Sequence, residues 1–227
     1  MIIFIHIPKT AGTSMRKIIE KQYTIRQIRS FYAGYEDAYN KLKGTPNSRL
    51  SSVKWVQGHF QFGLHEVLPQ PAQYIAMLRH PVDRVISFYY FLRESPRHPL
   101  NKKAMSLTLK EFIMCEDSDI QSQIYNLQTK MISGDGTPSL EKAKKNIEQH
   151  FLMVGITERF NESMAVMRKK LGWNVPYNYK HNVTRRRPKM EQVPAEIRKL
   201  IEQKNEIDFQ LYEYGKALLQ KEINSLK

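Results

Sequence analysis

The stretch MIIFIHIPKTAGTS, residues 1–14, decides the fold of this chain. Its first half, at residues 2–7, is an apolar run that predicts a buried strand. Its second half carries a lysine, a glycine and three hydroxyl side chains, at the point where a helix is expected to begin. In an open α/β sheet, ligands bind at the carboxyl ends of strands, where the N–H groups of the following helix can hold an anion. We therefore predict an anion-binding loop made of Lys9, Thr10, Gly12, Thr13 and Ser14.

Apolar runs and helical spacing alternate along the rest of the chain. Further buried strands are predicted at residues 53–57, 74–78 and 151–156. Helices are predicted at residues 13–23, 82–92, 107–115, 119–132, 139–149, 158–171 and 194–222. This alternation predicts an α/β fold, a three-layer sandwich around a central and mainly parallel sheet. A length of 227 residues suits a single domain that spans residues 1–227.

Two irregular segments are expected to lie at the surface. Residues 93–110 include ESPRHPLNKK, which has two prolines and no periodicity, so we predict a loop over a substrate site. Residues 177–190, YNYKHNVTRRRPKM, are basic and aromatic and are predicted to form a second loop. The predicted C-terminal helix at residues 194–222 follows this loop.

The charge balance restricts the partners of the chain. With 36 basic and 22 acidic residues, the net charge is +14, which attracts polyanions such as acidic glycans or a phosphorylated small molecule. Nucleic acid is not expected as a partner, because the sequence shows no zinc-finger spacing, RNA-binding aromatic motif or helix-turn-helix pattern. No membrane span is expected from apolar runs this short. No metal is expected either, since no His, Cys and carboxylate residues have the spacing of metal ligands.

The cellular location is inferred from the cysteine content and the start of the chain. Cys115 is the single cysteine, so an internal disulfide framework is excluded. The first predicted strand begins at once, without the charged and apolar regions of a signal peptide. We therefore expect a cytoplasmic location, with Cys115 as a packing residue.

The predicted anion-binding loop differs from the phosphate-binding loop of ATPases and GTPases. That loop reads G-x-x-x-x-G-K-[ST], whereas here Lys9 precedes Gly12. The apolar runs end in QGH at residues 57–59 and in MLR at residues 77–79, so neither supplies an aspartate that would hold magnesium. A phosphotransferase acting on a nucleoside triphosphate is therefore a weaker alternative.

A second motif lies in YIAMLRHPVDRVISFYYFLR, residues 74–93. Arg79 ends a predicted strand, Pro81 opens a predicted helix, and Ser87 lies two turns into that helix. The helical period predicts that residues 80, 84 and 87 share one face. An arginine at a strand end and a serine on a helix can hold a second phosphate at a distance from the first loop.

The two motifs together resemble the nucleotide-binding signatures of PAPS-dependent sulfotransferases. The quoted residues are IFIHIPKTAGTS and LRHPVDRVISFYY, and the similarity is greatest to the carbohydrate branch, which includes the heparan sulfate 2-O-sulfotransferases. It continues through NLQTKMISG at residues 126–134 and FLMVGITERFNESMAVMRKKLGW at residues 151–173. The resemblance implies a sulfotransferase fold of the P-loop-like, nucleotide-binding type.

The resemblance assigns roles to residues of this chain. It implies that the 5′-phosphosulfate of PAPS is held by Lys9, Thr10, Gly12, Thr13 and Ser14. It implies that Arg79 and Ser87 hold the 3′-phosphate. Residues 177–190 would close over the nucleotide, with Arg185 and Arg186 as candidate contacts.

Sulfuryl transfer also needs a base for the acceptor hydroxyl and a charge beside the leaving group. His59 follows a predicted strand, and histidine has a pKa suited to proton transfer. In the related 2-O-sulfotransferases the proposed base is a histidine after a glycine at this point, and a second histidine lies two positions earlier, where this chain has Gln57. Lys9 is expected to stabilise the oxygen that bridges sulfur and phosphorus. His6 is expected to pack inside the first strand, and His98 is a candidate at the acceptor site.

These expectations define a leading function and two alternatives. The leading function is transfer of a sulfuryl group from PAPS, released as PAP, to a hydroxyl acceptor. A carbohydrate is the favoured acceptor, with an anionic glycan among the candidates. The alternatives are a polyanion-binding module without catalysis and a P-loop-type nucleotide phosphotransferase. The sequence leaves the acceptor's identity and the oligomeric state open.

Overall fold

The computed structural model describes residues 1–173 and 187–226. Within them one sheet contains the strands β1 (Ile2–Ile5), β2 (Ile28–Phe31), β3 (Trp55–Gly58), β4 (Gln73–Leu78) and β5 (Phe151–Ile156). The strand order is β2-β3-β1-β4-β5, and each neighbouring pair runs parallel. The predicted α/β fold around a parallel sheet is confirmed.

Helices connect the strands and extend the chain beyond the sheet. The α-helices of the described residues are α1 (Gly12–Gln22), α2 (Tyr35–Lys43), α3 (Asn47–Leu50), α4 (Pro81–Arg93), α5 (Asn101–Ser106), α6 (Leu109–Met114), α7 (Ser118–Ile124), α8 (Leu127–Ser133), α9 (Leu140–His150), α10 (Phe160–Leu171), α11 (Ala195–Lys204) and α12 (Glu206–Asn224). Helices α1, α4, α6, α9 and α10 match the predicted bounds within two residues. The crossover helices therefore follow from the sequence pattern.

The sheet has its core on both faces. The side chains of Ile3, Phe4 and Ile5 in β1 are at most 1% exposed. Parallel strands joined by helical crossovers are covered on both sides, which explains why their sequences are continuous apolar runs rather than alternating ones. Helices α9, α10 and α12 pack against the β4–β5 end of the sheet. A second apolar cluster lies among α4, α5, α6, α7 and α11, with Ile86 and Phe112 at its centre.

Strand β2 and the two α-helices that follow it were not predicted from the sequence. Strand β2 has the short sequence IRSF, in which Ser30 is exposed and Arg29 is half-buried. It pairs with β3 at the edge of the sheet, where a strand needs no continuous apolar run. Helices α2 and α3 lie between β2 and β3. Four residues of mixed polarity are too few to give a periodic signal.

Two predicted helices are each divided in the structure. The predicted helix at residues 119–132 is interrupted at Asn126, whose φ is 45°. The predicted helix at residues 194–222 is interrupted at Asn205. The two interruptions contact each other, because the N–H of Asn126 donates to Oδ1 of Asn205 over 2.9 Å. The predictions of continuous helices were wrong here because tertiary hydrogen bonds replace the helical ones.

The prediction of a loop over residues 93–110 was wrong in part. Helix α5 occupies Asn101–Ser106. The Asn101 side chain donates to the carbonyl oxygen of Leu92 at 2.7 Å, and Ala104 is fully buried. Contacts with α4 therefore order a segment whose prolines had indicated an irregular loop.

The chain changes direction across the sheet beside β1. The connection from β1 leads to β2 and β3 on one side, and the connection from β3 then crosses to β4 on the other side. Such a reversal of strand order opens a crevice at the carboxyl ends of the strands. In the described part of the chain, no helix is both long and apolar enough to cross a bilayer.

Candidate functional site

A cavity of about 780 Å³ opens at the carboxyl ends of the strands. Its size is that of a site for a nucleotide-sized ligand. Its wall is built by the segments that follow β1, β3, β4 and β5, together with α4. The predicted site residues that line it are Lys9, Gly12, Thr13, Ser14, His59, Arg79 and Ser87.

The loop between β1 and α1 has the backbone geometry of an anion site. Lys9 and Ala11 have left-handed φ values of 71° and 68°. This conformation is unfavourable for residues other than glycine, with a cost of about 1–3 kcal/mol each, and such strain concentrates at functional sites. Alternating backbone handedness turns successive N–H groups towards one point, and α1 begins directly afterwards at Gly12. The loop can therefore bind an anion through its main chain.

Thr10 has a different place from the one expected for its side chain. It is fully buried, and its hydroxyl donates to the carbonyl oxygen of Ile7 at 2.8 Å. It is not among the residues that line the cavity. The Thr10 side chain thus holds the loop against the end of β1, and its predicted contact with a phosphosulfate stays a prediction.

Gly12 is needed for the close approach of a side chain. A Cβ at this position would lie 1.6 Å from Nε2 of His6. The absence of a side chain at Gly12 therefore makes room for the His6 imidazole, which lines the cavity together with His59. The sequence had indicated the same glycine for the approach of a phosphate.

Lys9 places its ammonium group inside the cavity. Its Nζ lies 4.0 Å from the centre of the Phe91 ring, a cation–π contact. Burial first, and then the charges of Arg79 and Arg187, lower the pKa of Lys9 to about 8. The negative charge of an anionic ligand beside Lys9 would oppose both effects and raise the pKa of Lys9 again.

Arg79, Asp83 and Arg187 form a connected ionic cluster in the part of the cavity wall that includes the end of β4 and the start of α4. Nε of Arg79 donates to Oδ2 of Asp83 at 2.8 Å, and the guanidinium of Arg187 pairs with both carboxylate oxygens. Although burial alone would raise the pKa of the Asp83 carboxyl, hydrogen bonds from Arg187 and the charge of Arg79 bring it below its usual value. Two guanidinium groups are thus held by one carboxylate.

Arg79 also connects the two walls of the cavity. Its Nη1 donates to the carbonyl oxygen of Lys9 at 2.9 Å. Its backbone is fixed by Gln128, which accepts from the Arg79 N–H at 2.9 Å and donates to the Arg79 carbonyl at 2.9 Å. Buried Asp208 in turn accepts from the N–H groups of Gln128 and Thr129 at the start of α8. A buried polar network therefore supports the end of β4.

His59, the predicted base, directly follows β3 and lines the cavity. Its N–H donates to the carbonyl oxygen of Phe31 at 2.9 Å. Its ring contacts the rings of His6 and Tyr32, with centroids 4.7 Å and 4.9 Å away. Burial lowers the pKa of His59, so the imidazole is neutral and can accept a proton at physiological pH.

The side chain of Gln57 is hydrogen-bonded within the sheet and not to the His59 imidazole. It is 2% exposed, accepts from Nε1 of Trp55 at 3.2 Å and donates to the hydroxyl of Ser30 at 3.1 Å. These bonds tie it into strands β2 and β3. The second imidazole beside His59 comes from His6, at the end of β1.

Several residues of the cavity were missed or were placed only loosely by the sequence. Asp83, Ser87 and Phe91 share the face of α4 that lines the cavity. Of residues 80, 84 and 87, which were predicted to share one face, Ser87 lines the cavity, whereas Arg84 is fully buried and donates to the carbonyl oxygens of Gln123 and Ile124. The i, i+4, i+8 spacing of Asp83, Ser87 and Phe91 is the sequence pattern that could have identified this face.

The structure describes one residue of the basic run at residues 185–187. Arg187 lines the cavity, whereas Arg185 and Arg186 lie outside the described residues. The predicted loop at residues 177–190 falls mostly outside them as well. His98 lines the cavity, and its contact with an acceptor stays a prediction. Across residues 1–173 and 187–226, no group of three His, Cys, Asp or Glu residues could hold a metal ion.

The fold and the cavity define an α/β protein with a nucleotide-sized cavity, lined by cationic side chains, at the carboxyl ends of its strands. The sequence profile described as the sulfotransferase family matches residues 1–215. The chain belongs to the sulfotransferase family.

Curated relatives and solved structures give further similarities. Heparan sulfate 2-O-sulfotransferase 1 of Xenopus laevis is 25% identical over 195 residues, which cover 75% of this chain and 54% of that protein. Heparin sulfate O-sulfotransferase of Drosophila melanogaster is 24% identical over 198 residues, covering 75% of this chain and 56% of that protein. The chain spans about half the length of these relatives.

Among solved structures, similarity is found to a sulfotransferase from Alicyclobacillus acidocaldarius. The TM-score is 0.48 at 14% identity, over 98% of this chain and 95% of the other. Mouse sulfotransferase SULT7A1 complexed with PAP has a TM-score of 0.40 at 17% identity, over 78% of this chain and 59% of the other.

Proposed function

We propose that this chain transfers a sulfuryl group from PAPS to a hydroxyl acceptor. The observation that carries the proposal is the meeting of Lys9, His59 and Arg79 around one cavity, beside a strained anion-binding loop. A base, a leaving-group cation and a second cationic site are the parts that this reaction requires. The match to the sulfotransferase family over residues 1–215 supports the same reaction.

The residues of the cavity fit the charges of PAPS. The donor carries a phosphosulfate at one end and a separate 3′-phosphate. The loop at residues 8–14 would hold the first group through backbone N–H groups and Lys9. Arg79, Ser87 and Arg187 would hold the second. Thr157 adds a buried hydroxyl with no hydrogen-bond partner among the described residues, in the same cavity wall.

His59 is proposed as the base. The acceptor hydroxyl gives its proton to the neutral imidazole while its oxygen attacks sulfur. The S–O bond to the phosphate breaks, and the bonding electrons stay on the phosphate oxygen. Because burial lowers the pKa of His59, the base is available at neutral pH without prior loss of a proton.

Lys9 is proposed to stabilise the leaving phosphate. Negative charge increases on the bridging oxygen as the S–O bond breaks, and a preorganised cation stabilises that charge. A pKa of about 8 leaves Lys9 mostly protonated at neutral pH. Its contact with Phe91 keeps the ammonium inside the cavity before the donor binds.

A carbohydrate is proposed as the acceptor. The curated relatives are named for transfer to heparan sulfate or heparin, and the net charge of +14 favours an anionic glycan. Phe91 and His98 line the same cavity as His59 and are proposed to contact the acceptor. The cytoplasmic location expected from the sequence stays a prediction.

The transfer itself can be tested with labelled donor. The chain is incubated with PAPS carrying ³⁵S and with a panel of heparan sulfate, desulfated glycans, hydroxylated lipids and small alcohols. Label is expected in a glycan product. Label in a lipid or small alcohol alone would overturn the acceptor class, and no label in any product would overturn the transfer.

Thermal unfolding separates this function from the two alternatives. A ligand that binds only the folded chain at 100 times its Kd adds about 2.7 kcal/mol to the free energy of unfolding. Stabilisation by PAP and not by ATP with Mg²⁺ is expected for a sulfotransferase. Stabilisation by ATP with Mg²⁺ would indicate a phosphotransferase, and stabilisation by heparin alone would indicate a polyanion-binding module.

A further inference from the structure

The imidazole of His6 is enclosed by several elements at the base of the cavity. Its ring stacks on Phe4 of β1, with centroids 5.8 Å apart and planes 11° apart. It meets Tyr32, which follows β2, edge-on at 5.8 Å. Its Nε2 lies where a Cβ of Gly12 would be. The ring is therefore fixed in place between the sheet and α1.

The His59 ring is in direct contact with His6. The two centroids are 4.7 Å apart, and the planes are inclined by 62°. Nδ1 of His6 is buried and has no hydrogen-bond partner among the described residues. Buried polar atoms are ordinarily hydrogen-bonded, so an exception calls for an explanation. A neighbouring group that moves to hydrogen-bond distance only when it becomes charged would explain it, since charge-assisted hydrogen bonds are shorter and stronger than neutral ones.

We propose that His6 is a positioning residue, which accepts a hydrogen bond from the His59 imidazolium when His59 has taken the acceptor proton. This role rests on the proposed function of His59 as the base. His6 itself gains no proton. One ring nitrogen of His59 takes the proton from the acceptor hydroxyl, and the N–H on its other side donates to an unprotonated nitrogen of His6. The positive charge stays on His59 until the product leaves.

The charges around His6 keep it in the accepting form. Burial first, and then the positive charges of His59, Arg16 and Lys9, lower the pKa of His6 to about 3. These groups come from the end of β3, from α1 and from the anion-binding loop, and Tyr32 is the titratable neighbour next to β2. No carboxylate is among the causes of the shift. His6 is therefore neutral at physiological pH.

The experiment measures the pKa of His59 with and without the acceptor nitrogen. Imidazole signals are followed by NMR as a function of pH in the wild-type chain, in His6→Phe and in His6→Gln, and the His59 signal is assigned by its loss in His59→Gln. Phe keeps an aromatic ring but removes the acceptor, so we expect the pKa of His59 to fall by roughly one unit. Gln offers an amide oxygen as an acceptor, so we expect most of that shift to be restored.

Turnover provides the second readout. His6→Phe is expected to lower kcat by about 10²-fold through loss of orientation, with the acid limb of the pH profile moved to lower pH and the affinity for PAP retained. His6→Gln is expected to recover most of the turnover. Tyr32→Phe, which changes another neighbour of both imidazoles, is the matched control and should leave the pKa of His59 in place.

The outcomes separate this role from the proposed function. Equal pKa values of His59 in the wild-type chain and in both His6 variants would overturn the role of His6, whatever the turnover. A shifted pKa that Gln restores, together with no transfer from PAPS by the wild-type chain, would overturn the sulfotransferase function and leave the coupling between the imidazoles standing. Retained stabilisation by PAP shows that a variant is folded.

Discussion

The two walls of the cavity differ in whether their charged and titratable groups are paired with an opposite charge. His6, Lys9 and His59 form the wall after β1 and β3, which we call the reactive wall; all are largely desolvated and have lowered pKa values. Arg79 and Arg187 belong to the wall after β4, the paired wall, and there Asp83 satisfies both guanidinium groups.

This difference indicates a division of labour. Groups that must change charge or meet a developing charge gain from being unpaired, since pairing would fix their protonation state. Groups that bind a phosphate of constant charge can be held ready by a carboxylate that the ligand then replaces. The reactive wall is therefore expected to decide turnover, and the paired wall to decide affinity.

The strongest test of the reactive wall is the loss of the base. His59→Gln keeps a polar side chain of similar size but cannot take the acceptor proton, so we expect kcat to fall by about 10³-fold. PAP should stabilise the variant as it stabilises the wild-type chain. Labelled transfer and thermal unfolding measure the two effects. His150→Gln, outside the cavity, is the control, and substantial transfer by His59→Gln would remove His59 from its role.

The next largest effect is expected from the loss of the leaving-group cation. Lys9→Ala removes a preorganised charge worth about 3–4 kcal/mol in the transition state, so kcat should fall by about 10²–10³-fold. The affinity for PAP, measured by calorimetry, should fall much less. Lys17→Ala removes an equal charge from an exposed position of α1 and is the control. Equal losses of affinity and turnover in Lys9→Ala would contradict the leaving-group role.

A change in the paired wall should alter stability and binding instead. Asp83→Asn leaves the buried guanidinium groups of Arg79 and Arg187 without their carboxylate, so the free energy of unfolding should fall by about 2 kcal/mol. Because a phosphate can replace the lost carboxylate, the stabilisation by PAP should become larger than in the wild-type chain. Thermal unfolding with and without PAP measures both quantities. A smaller stabilisation by PAP would show that Asp83 orients the arginines for the ligand.

The pH dependence of binding is the smallest effect. Lys9 with a pKa of about 8 is charged below that pH and neutral above it. Because PAP is expected to favour the charged form only modestly, its affinity should fall by about 3-fold between pH 7 and pH 9 as the charged fraction of Lys9 falls. Lys9→Arg stays charged over this range, so its affinity measured by calorimetry should be nearly constant. A wild-type affinity that does not change with pH would show that Lys9 contributes little to binding.

The sequence alone was sufficient for the fold class and for most of the cavity. Continuous apolar runs indicate β1, β4 and β5 because a parallel sheet is covered on both faces. Loop residues that directly follow such runs, including Lys9, His59 and Arg79, must then meet at one edge. Strand β2 could not be predicted, because four residues of mixed polarity at an edge carry no periodic signal.

The remaining parts depend on contacts between distant segments. Asn126 and Asn205 interrupt their helices through hydrogen bonds across 79 positions of the chain. Arg187 reaches Asp83 across 104 positions. A local sequence pattern contains no information about such distant partners. For the same reason the sequence did not predict that α4 places Asp83, and not Arg84, at the cavity.

The opening stretch illustrates both sides of this division. By itself the sequence determined a strand followed by an anion-binding loop, because apolarity, small residues and hydroxyls act locally on the backbone. The tertiary structure decided what individual side chains do there: Thr10 turns inward to Ile7, and Gly12 admits the ring of His6. The sheet brings His6 against His59 from a neighbouring strand, and the adjacency of strands is a property of the whole fold.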